Sequence, residues 1–335
     1  MSTIVQSRLE WVDLAKGFGI ILVVIGHTTL PIEIRKWIYS FHMPLFFYLS
    51  GYFFKSGKYS FLDFFIKRCR TLLIPFMSFV FFNWIGFDLL HLWWGESTYD
   101  IINVLKNGPK DPIWFLTTLF VVEICHHAID HIVKIINNLK TQGAIWFILC
   151  VILVVINYLI IHVANIKLPY EMIYVPHYLM FYIVGRNHWI NIVDKIAYFQ
   201  IIILLVIDLL LEYNLPYGIG LNPKILLYVL SYLVALLGVF WLINFSFVLS
   251  LSNNSLLRKC KSLISFWGAN SIVILGLHTV FVRGIKYVFH SLGFSSAWSF
   301  PFRQLLLWII LSIAILFINK YTPWLVGKKY ERNTK

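Results

Sequence analysis

The sequence predicts an all-α protein, a polytopic transmembrane helical bundle of about ten spans, and three observations carry that prediction. Only 13% of its 335 residues are charged and 59% are hydrophobic, where a soluble globular domain has roughly a quarter of its residues charged. Mean hydropathy is +0.77. Apolar stretches long enough to cross roughly 30 Å of hydrocarbon recur from end to end, with no water-soluble segment large enough for a separate domain. One integral membrane domain is therefore expected over 1–335, with a transmembrane core at about 10–320 and a cytoplasmic tail at 321–335.

Hydropathy sets the first span at 11–30; it carries Asp13 and Lys16 and lacks a small-residue cleavage site, so it reads as a retained helix and not a removed signal peptide. The second, 38–54, opens at His42 and Pro44 and holds Ser50 and Gly51, a pair suited to close helix contact. Segment 55–70, "KSGKYSFLDFFIKRCR", alternates aromatic and basic residues and is expected to lie along the inner surface as an amphipathic helix. It serves either as an anchor to anionic lipid or in binding a phosphorylated cofactor, and both readings stand. The third span covers 71–94, the fourth 112–129 with His126 and His127 at its inner end, and the fifth 143–164. The sixth, 177–190, is short and carries Arg186; the seventh and eighth cover 196–213 and 225–249; the ninth, 267–284, holds Ser271 and His278; the tenth is 301–320.

A formal charge of +13 suggests nucleic acid until its distribution is considered. With the N-terminus inside, 18 of the 28 lysines and arginines fall on inner segments, 9 on the outer side, and Lys16 within the first span. That bias is the one cytoplasmic loops carry, so both termini are expected inside and no nucleic-acid partner is expected. Cys69, Cys125, Cys150 and Cys260 lack metal-ligand spacing and read as free thiols; no metal is expected.

Polar groups inside spans are the candidates for function, because inserting them costs a few kcal/mol or more. Lys16 and His27 lie eleven residues apart, which on a helix is close to three turns and roughly 16 Å of rise, so both project from one face. Histidine exchanges a proton near neutral pH, as activating a hydroxyl for attack on an acyl carbon requires. Lysine is a fixed cation for a phosphate or carboxylate, and Asp13, one turn away, is an alternative structural partner. Taken alone, His27 also fits an interfacial residue bonded to backbone. His42 is expected near the outer face within reach of His27 across a short loop. Ser271 and His278 are seven residues apart on one helical face, and His177, after Pro176, is a weaker member of the outer group. His126 and His127 are expected to be solvated boundary residues, since adjacent helical positions face different directions. No G-x-S-x-G elbow, P-loop or H-E-x-x-H occurs, so soluble hydrolase, nucleotidase and zinc-protease readings lack support.

"DLAKGFGIILVVIGH", "FHMPLFFYLSGYFF", "KRCRTLLIPF", "IWFLTTLF", "FYIVGR" and "GANSIVILGLH" follow one another from about residue 10 to residue 278. In this order they resemble the acyltransferase-3 family, bacterial integral membrane proteins that transfer acyl groups, commonly acetyl, to carbohydrates. The family's first-span pattern is an arginine, ten residues, then a histidine; here Lys16 stands at the first position, keeping charge and losing the bidentate fork. The chain is similar to the stand-alone members, without a fused soluble domain. The resemblance implies acetyl-CoA as acyl donor and co-substrate, arriving from the cytoplasm, with Lys67, Arg68 and Arg70 meeting its phosphates. It implies as acceptor a hydroxyl of a surface glycan (capsule, exopolysaccharide or O-antigen) or of its lipid-linked precursor, and as location the bacterial inner membrane, in contact with lipid. The expected O-acetyltransferase has His27 as general base, Lys16 positioning the donor or stabilising charge on it, and His278 and His42 orienting the acceptor or polarising the thioester, with Ser271 and His177 beside the substrate. The alternative is an exporter of polysaccharide or a lipid-linked intermediate that does no chemistry. The oligomeric state leaves no mark in the sequence.

Overall fold

The computed structural model describes residues 2–28, 30–95, 98–164, 166–190, 192–193, 198–214, 225–294 and 297–328. The tail at 329–335, and Lys195 and Lys224 of the charge count, lie outside the described residues. Among the described residues every regular element is helical. In order these are α1 (Ser2–Gly26), α2 (Ile32–Tyr52), α3 (Phe61–Arg68), α4 (Ile74–Trp94), α5 (Ile101–Asn107), α6 (Trp114–Val133) and α7 (Leu139–Tyr158). After them come α8 (Val175–Arg186), α9 (Tyr198–Asn214), α10 (Ile225–Leu251), α11 (Ser255–Ala269), α12 (Ser271–Ser291) and α13 (Phe300–Tyr321).

Among the described residues six stretches are long and apolar enough to cross a membrane: Phe61–Trp94, Trp114–Val133, Leu139–Val163, Leu227–Leu251, Ser271–Ser291 and Phe300–Tyr321. The four other expected spans correspond to α1, α2, α8 and α9. The first two are interrupted by charge (Glu10, Asp13 and Lys16; Glu33, Arg35 and Lys36), and α8 has only 12 residues and α9 only 17, short of the roughly 20 that cross hydrocarbon. Two boundaries differ from expectation. Segment 55–60 is a turn, and the helix beginning at Phe61 runs through a π turn, Cys69–Leu73, straight into α4. The expected ninth span is broken at Asn270, with α11 before it and α12 after it.

The chain divides into two compact units. The first comprises Met1–Phe61, Val121–Lys167 and Met172–Ala269. Its core is built from Leu14, Ile20 and Val23 of α1, Phe41, Leu45 and Phe47 of α2, Phe181 and Tyr182 of α8, and Val239 and Ile243 of α10, all buried. Helices in lipid gain little from apolar burial as such, so close backbone approach and van der Waals contact have to supply the association. Two crossings do this through glycine. A Cβ on Gly51 of α2 would lie 2.0 Å from the Tyr182 carbonyl oxygen, and one on Gly185 of α8 would lie 2.1 Å from that of Tyr48. Likewise Gly17 of α1 faces the Ile264 carbonyl and Gly268 of α11 the Asp13 carbonyl, at 2.3 and 1.8 Å. No side chain fits at these four positions.

The second unit comprises Leu62–Phe120, Leu168–Glu171 and Asn270–Lys335. Its α12 packs on α4 and α13, with Gly276 against the Phe79 ring and Trp94 stacked on Tyr287 at 5.8 Å. The connection between α4 and α6 contains α5, capped by Asp100, whose carboxylate accepts from the Asn103 N–H at 3.0 Å.

Candidate functional site

In the first unit α1 is unbroken from Lys16 to Gly26, and the His27 N–H continues its ladder to the Val23 and Val24 carbonyls at 3.3 and 3.2 Å. The helical register therefore holds across all eleven residues, and Lys16 and His27 project from the same face. Lys16 is half-buried and His27 exposed. Asp13 lies close enough to attract the Lys16 ammonium.

Around His27 the chain turns back quickly. Thr28 Oγ1 donates to the Ile25 carbonyl at 2.6 Å, Pro31 caps α2, and Tyr39 Oη donates to the Gly26 carbonyl at 3.0 Å. The Tyr39 ring thereby sits against both histidines, 6.1 Å from His27 and 5.2 Å from His42. His42 is buried, and its Nδ1 lies 2.6 Å from the Ile38 carbonyl. A carbonyl only accepts, so Nδ1 carries the proton and Nε2 keeps a lone pair in the neutral ring. His27 and His42 thus occupy one region of the first unit, joined by Tyr39, and Lys16 lies three turns away along α1.

His177 lies elsewhere in the same unit, packed among Tyr178, Phe181 and Tyr232 with ring centroids 4.9, 5.1 and 4.6 Å away. Beside it the buried Asn157 carboxamide accepts from Tyr228 and, at 3.1 Å, from Tyr232, and donates to the Ile173 carbonyl at 2.9 Å. An open cleft of about 580 Å³ on α11 is lined by Arg258, Lys259, Ser262, Leu263 and Phe266.

The second unit holds the other candidates. His278 is fully buried, with Nδ1 3.0 Å from the carbonyls of Ile274 and Leu275, so it too carries its proton on Nδ1. Ser271 is the first residue of α12, two turns before it. Lys67 and Arg68 end α3, and Arg70 lies exposed in the π turn that follows; Arg68 stacks on the Phe64 ring at 4.9 Å. π turns often mark functional positions. At the start of α6 Asp111 accepts from Asn83 Nδ2 at 2.8 Å and from Tyr99 Oη at 3.1 Å, and burial raises its carboxyl above the usual range against those two hydrogen bonds.

One expectation is corrected. His126 and His127 are not solvated boundary residues: they are 0% and 8% exposed. Adjacent positions both lie buried because the turn after α2 covers α6. Phe54 of that turn packs its ring 4.6 Å from His126 and 6.1 Å from His127, while Trp146 and Tyr182 close on His126 at 5.1 and 4.7 Å. One turn further along α6, Asp130 pairs with Arg186 at 2.7 Å and accepts from Ser56, and the Arg186 guanidinium lies over the Trp146 ring at 5.1 Å. Arg186, read from the sequence only as a charge in a short span, is thus the hub of a buried network. A second missed group is Asp208 of α9, fully buried, whose Oδ2 accepts from the indoles of Trp37 at 2.8 Å and Trp241 at 3.1 Å. An acid within "IIILLVIDLLL" was the available signal.

With this arrangement in view, a family model described as an acyltransferase domain matches residues 9–319. The chain belongs to the acyltransferase-3 family. The matched region takes in residues of both units and every site residue expected from the sequence. No curated protein and no solved structure matches the chain. Family and apolar helices together make it a membrane protein carrying an acyltransferase domain.

Proposed function

We propose that this protein is an O-acetyltransferase of the bacterial inner membrane, crossing it about ten times with both termini in the cytoplasm. It moves acetyl from cytoplasmic acetyl-CoA to a hydroxyl of a cell-surface polysaccharide or its lipid-linked precursor. The observation that carries this reading is the shared face of α1, on which an ammonium and an imidazole stand roughly 16 Å apart along the axis. That spacing suits a reaction whose two substrates come from opposite sides of a bilayer.

In the reaction the acceptor oxygen attacks the thioester carbonyl while His27 takes the hydroxyl proton. The tetrahedral oxyanion then collapses, the carbon–sulfur bond breaks, and the leaving thiolate recovers the proton from the imidazolium. The products are an O-acetyl ester and free CoA, with no net proton released. His42, neutral and with its Nε2 lone pair available, orients the acceptor beside His27 through their common neighbour Tyr39. Lys16 positions the donor, Lys67, Arg68 and Arg70 meet the donor's phosphates, His278 polarises the thioester, and Ser271 and His177 contact substrate.

Purified protein given acetyl-CoA labelled in the acetyl group separates this from transport without chemistry. The expected result is slow hydrolysis or acetyl exchange above a protein-free control, increasing when acceptor glycan is added. No turnover of acetyl-CoA under either condition would remove the enzymatic reading.

A further inference from the structure

The last described residues close back on the start of α4. Pro323–Val326 forms a short turn ended by Gly327 at φ +71°, and a Cβ there would lie 2.6 Å from the Arg70 carbonyl oxygen and 2.8 Å from Thr71 Cα. Gly327 therefore rests directly on the π turn that carries Arg70, and Lys328 follows it. The Lys328 Nζ donates to Asn319 Oδ1 at 2.7 Å and to Asn270 Oδ1 at 3.0 Å, while Asn319 Nδ2 also donates to Asn270 Oδ1 at 2.9 Å.

Two neutral carboxamides thus aim this ammonium. Among the described residues no carboxylate lies within ion-pair distance of Lys328, and desolvation alone holds its pKa below the usual lysine range. The surroundings add to the cost. Asn270 stands at the N-terminus of α12, where the helix dipole is already positive. Residues 67–70 bring Lys67, Arg68 and Arg70, against a single acid, Asp63, in α3. An ammonium held in place by hydrogen bonds in surroundings of its own sign is a local conflict that a fold tolerates where a ligand resolves it.

The geometry points to a polyphosphate-binding site in the second unit in which Lys328, oriented by Asn270 and Asn319, joins Lys67, Arg68 and Arg70. Lys328 keeps a third N–H and stays solvent-accessible, so a phosphate oxygen reaches it without the helices moving. The inference rests on the reading of Lys67, Arg68 and Arg70 as the donor's phosphate contacts, and adds a residue from the far end of the chain to that site. The C-terminal turn becomes a strap that fixes where the lysine stands.

The test uses the purified full-length protein and its Lys328→Met and Lys328→Arg variants, titrated calorimetrically with inorganic pyrophosphate and with acetyl-CoA at several salt concentrations. Loss of a charge-assisted hydrogen bond is expected to weaken pyrophosphate binding about tenfold or more in Lys328→Met, and Lys328→Arg is expected to retain most of it. Lys328→Met is also expected to flatten the salt dependence, which a merely structural role would leave unchanged. Gly327→Ala, displaced by the Arg70 carbonyl, is expected to weaken pyrophosphate binding while Lys328 itself is intact. Pyrophosphate bound equally well by wild type and Lys328→Met overturns the inference, as does wild type that binds none. Lys328-dependent binding of pyrophosphate without binding of acetyl-CoA supports this site and overturns acetyl-CoA as the donor.

Discussion

At the scale of single residues, His27 is made useful by its neighbours more than by its own position. A histidine just past a helix end is ordinary. His27 shares a tyrosine face with a second histidine, and an unbroken helical face with a lysine three turns away. The Lys16 and His27 spacing was legible in the sequence because a helix converts eleven residues into three turns without further information. The tautomer of His42 was not, since it depends on which carbonyl its Nδ1 meets. Nor was the burial of His126 and His127, because it follows from a loop folding over α6 and no helical periodicity encodes that. Asp130 and Arg186 belong to the same lesson: 56 residues apart, they become a pair only after folding. Arg186→Met is predicted to leave the buried Asp130 carboxylate without its cation and to destabilise the protein by about 3–5 kcal/mol. The combined Arg186→Met, Asp130→Leu change is predicted to recover part of that loss, measured as thermal midpoints in detergent; equal midpoints for wild type and Arg186→Met would show the pair to be dispensable.

At the scale of elements, helix existence followed from hydropathy almost everywhere, and the differences arose where hydropathy is silent. The π turn at Cys69–Leu73 joins α3 to α4 as one helical path, whereas a change from basic to apolar residues suggested a surface helix followed by a separate span. The break falls at Asn270, whose side chain accepts from Asn319 and Lys328 and makes no capping bond to α12. Gly51 was expected to permit close contact, and it does, with Gly185 supplying the other half of the crossing. Backbone at 2.0–2.1 Å from a would-be Cβ cannot move aside as a side chain end can. Gly51→Ala and Gly185→Ala are therefore each predicted to push α2 and α8 apart at a cost of about 1–3 kcal/mol, seen as a lower thermal midpoint and less protein in the membrane. An unaltered midpoint in both would mean that the two helices do not cross there.

At the scale of the whole molecule, composition and hydropathy announced a helical membrane protein, and the family assignment covers residues 9–319. The division into two units was not legible, because it is made from segments interleaved along the chain: the first unit gathers three stretches and the second another three. The candidates divide between the two units. Lys16, His27, His42 and His177 belong to the first; Lys67, Arg68, Arg70, Ser271, His278 and Lys328 belong to the second. Transfer between two substrates gives a reason for one chain to keep both sets.

The central claim is that the His27 imidazole performs the proton transfer. It is tested most directly by NMR of surface-glycan acetyl groups from cells carrying wild type or His27→Ala, with equal amounts of each protein verified in the membrane. The acetyl signal is expected to fall by at least about a hundredfold, to that of cells lacking the gene. A near-normal acetyl signal from His27→Ala cells would contradict it.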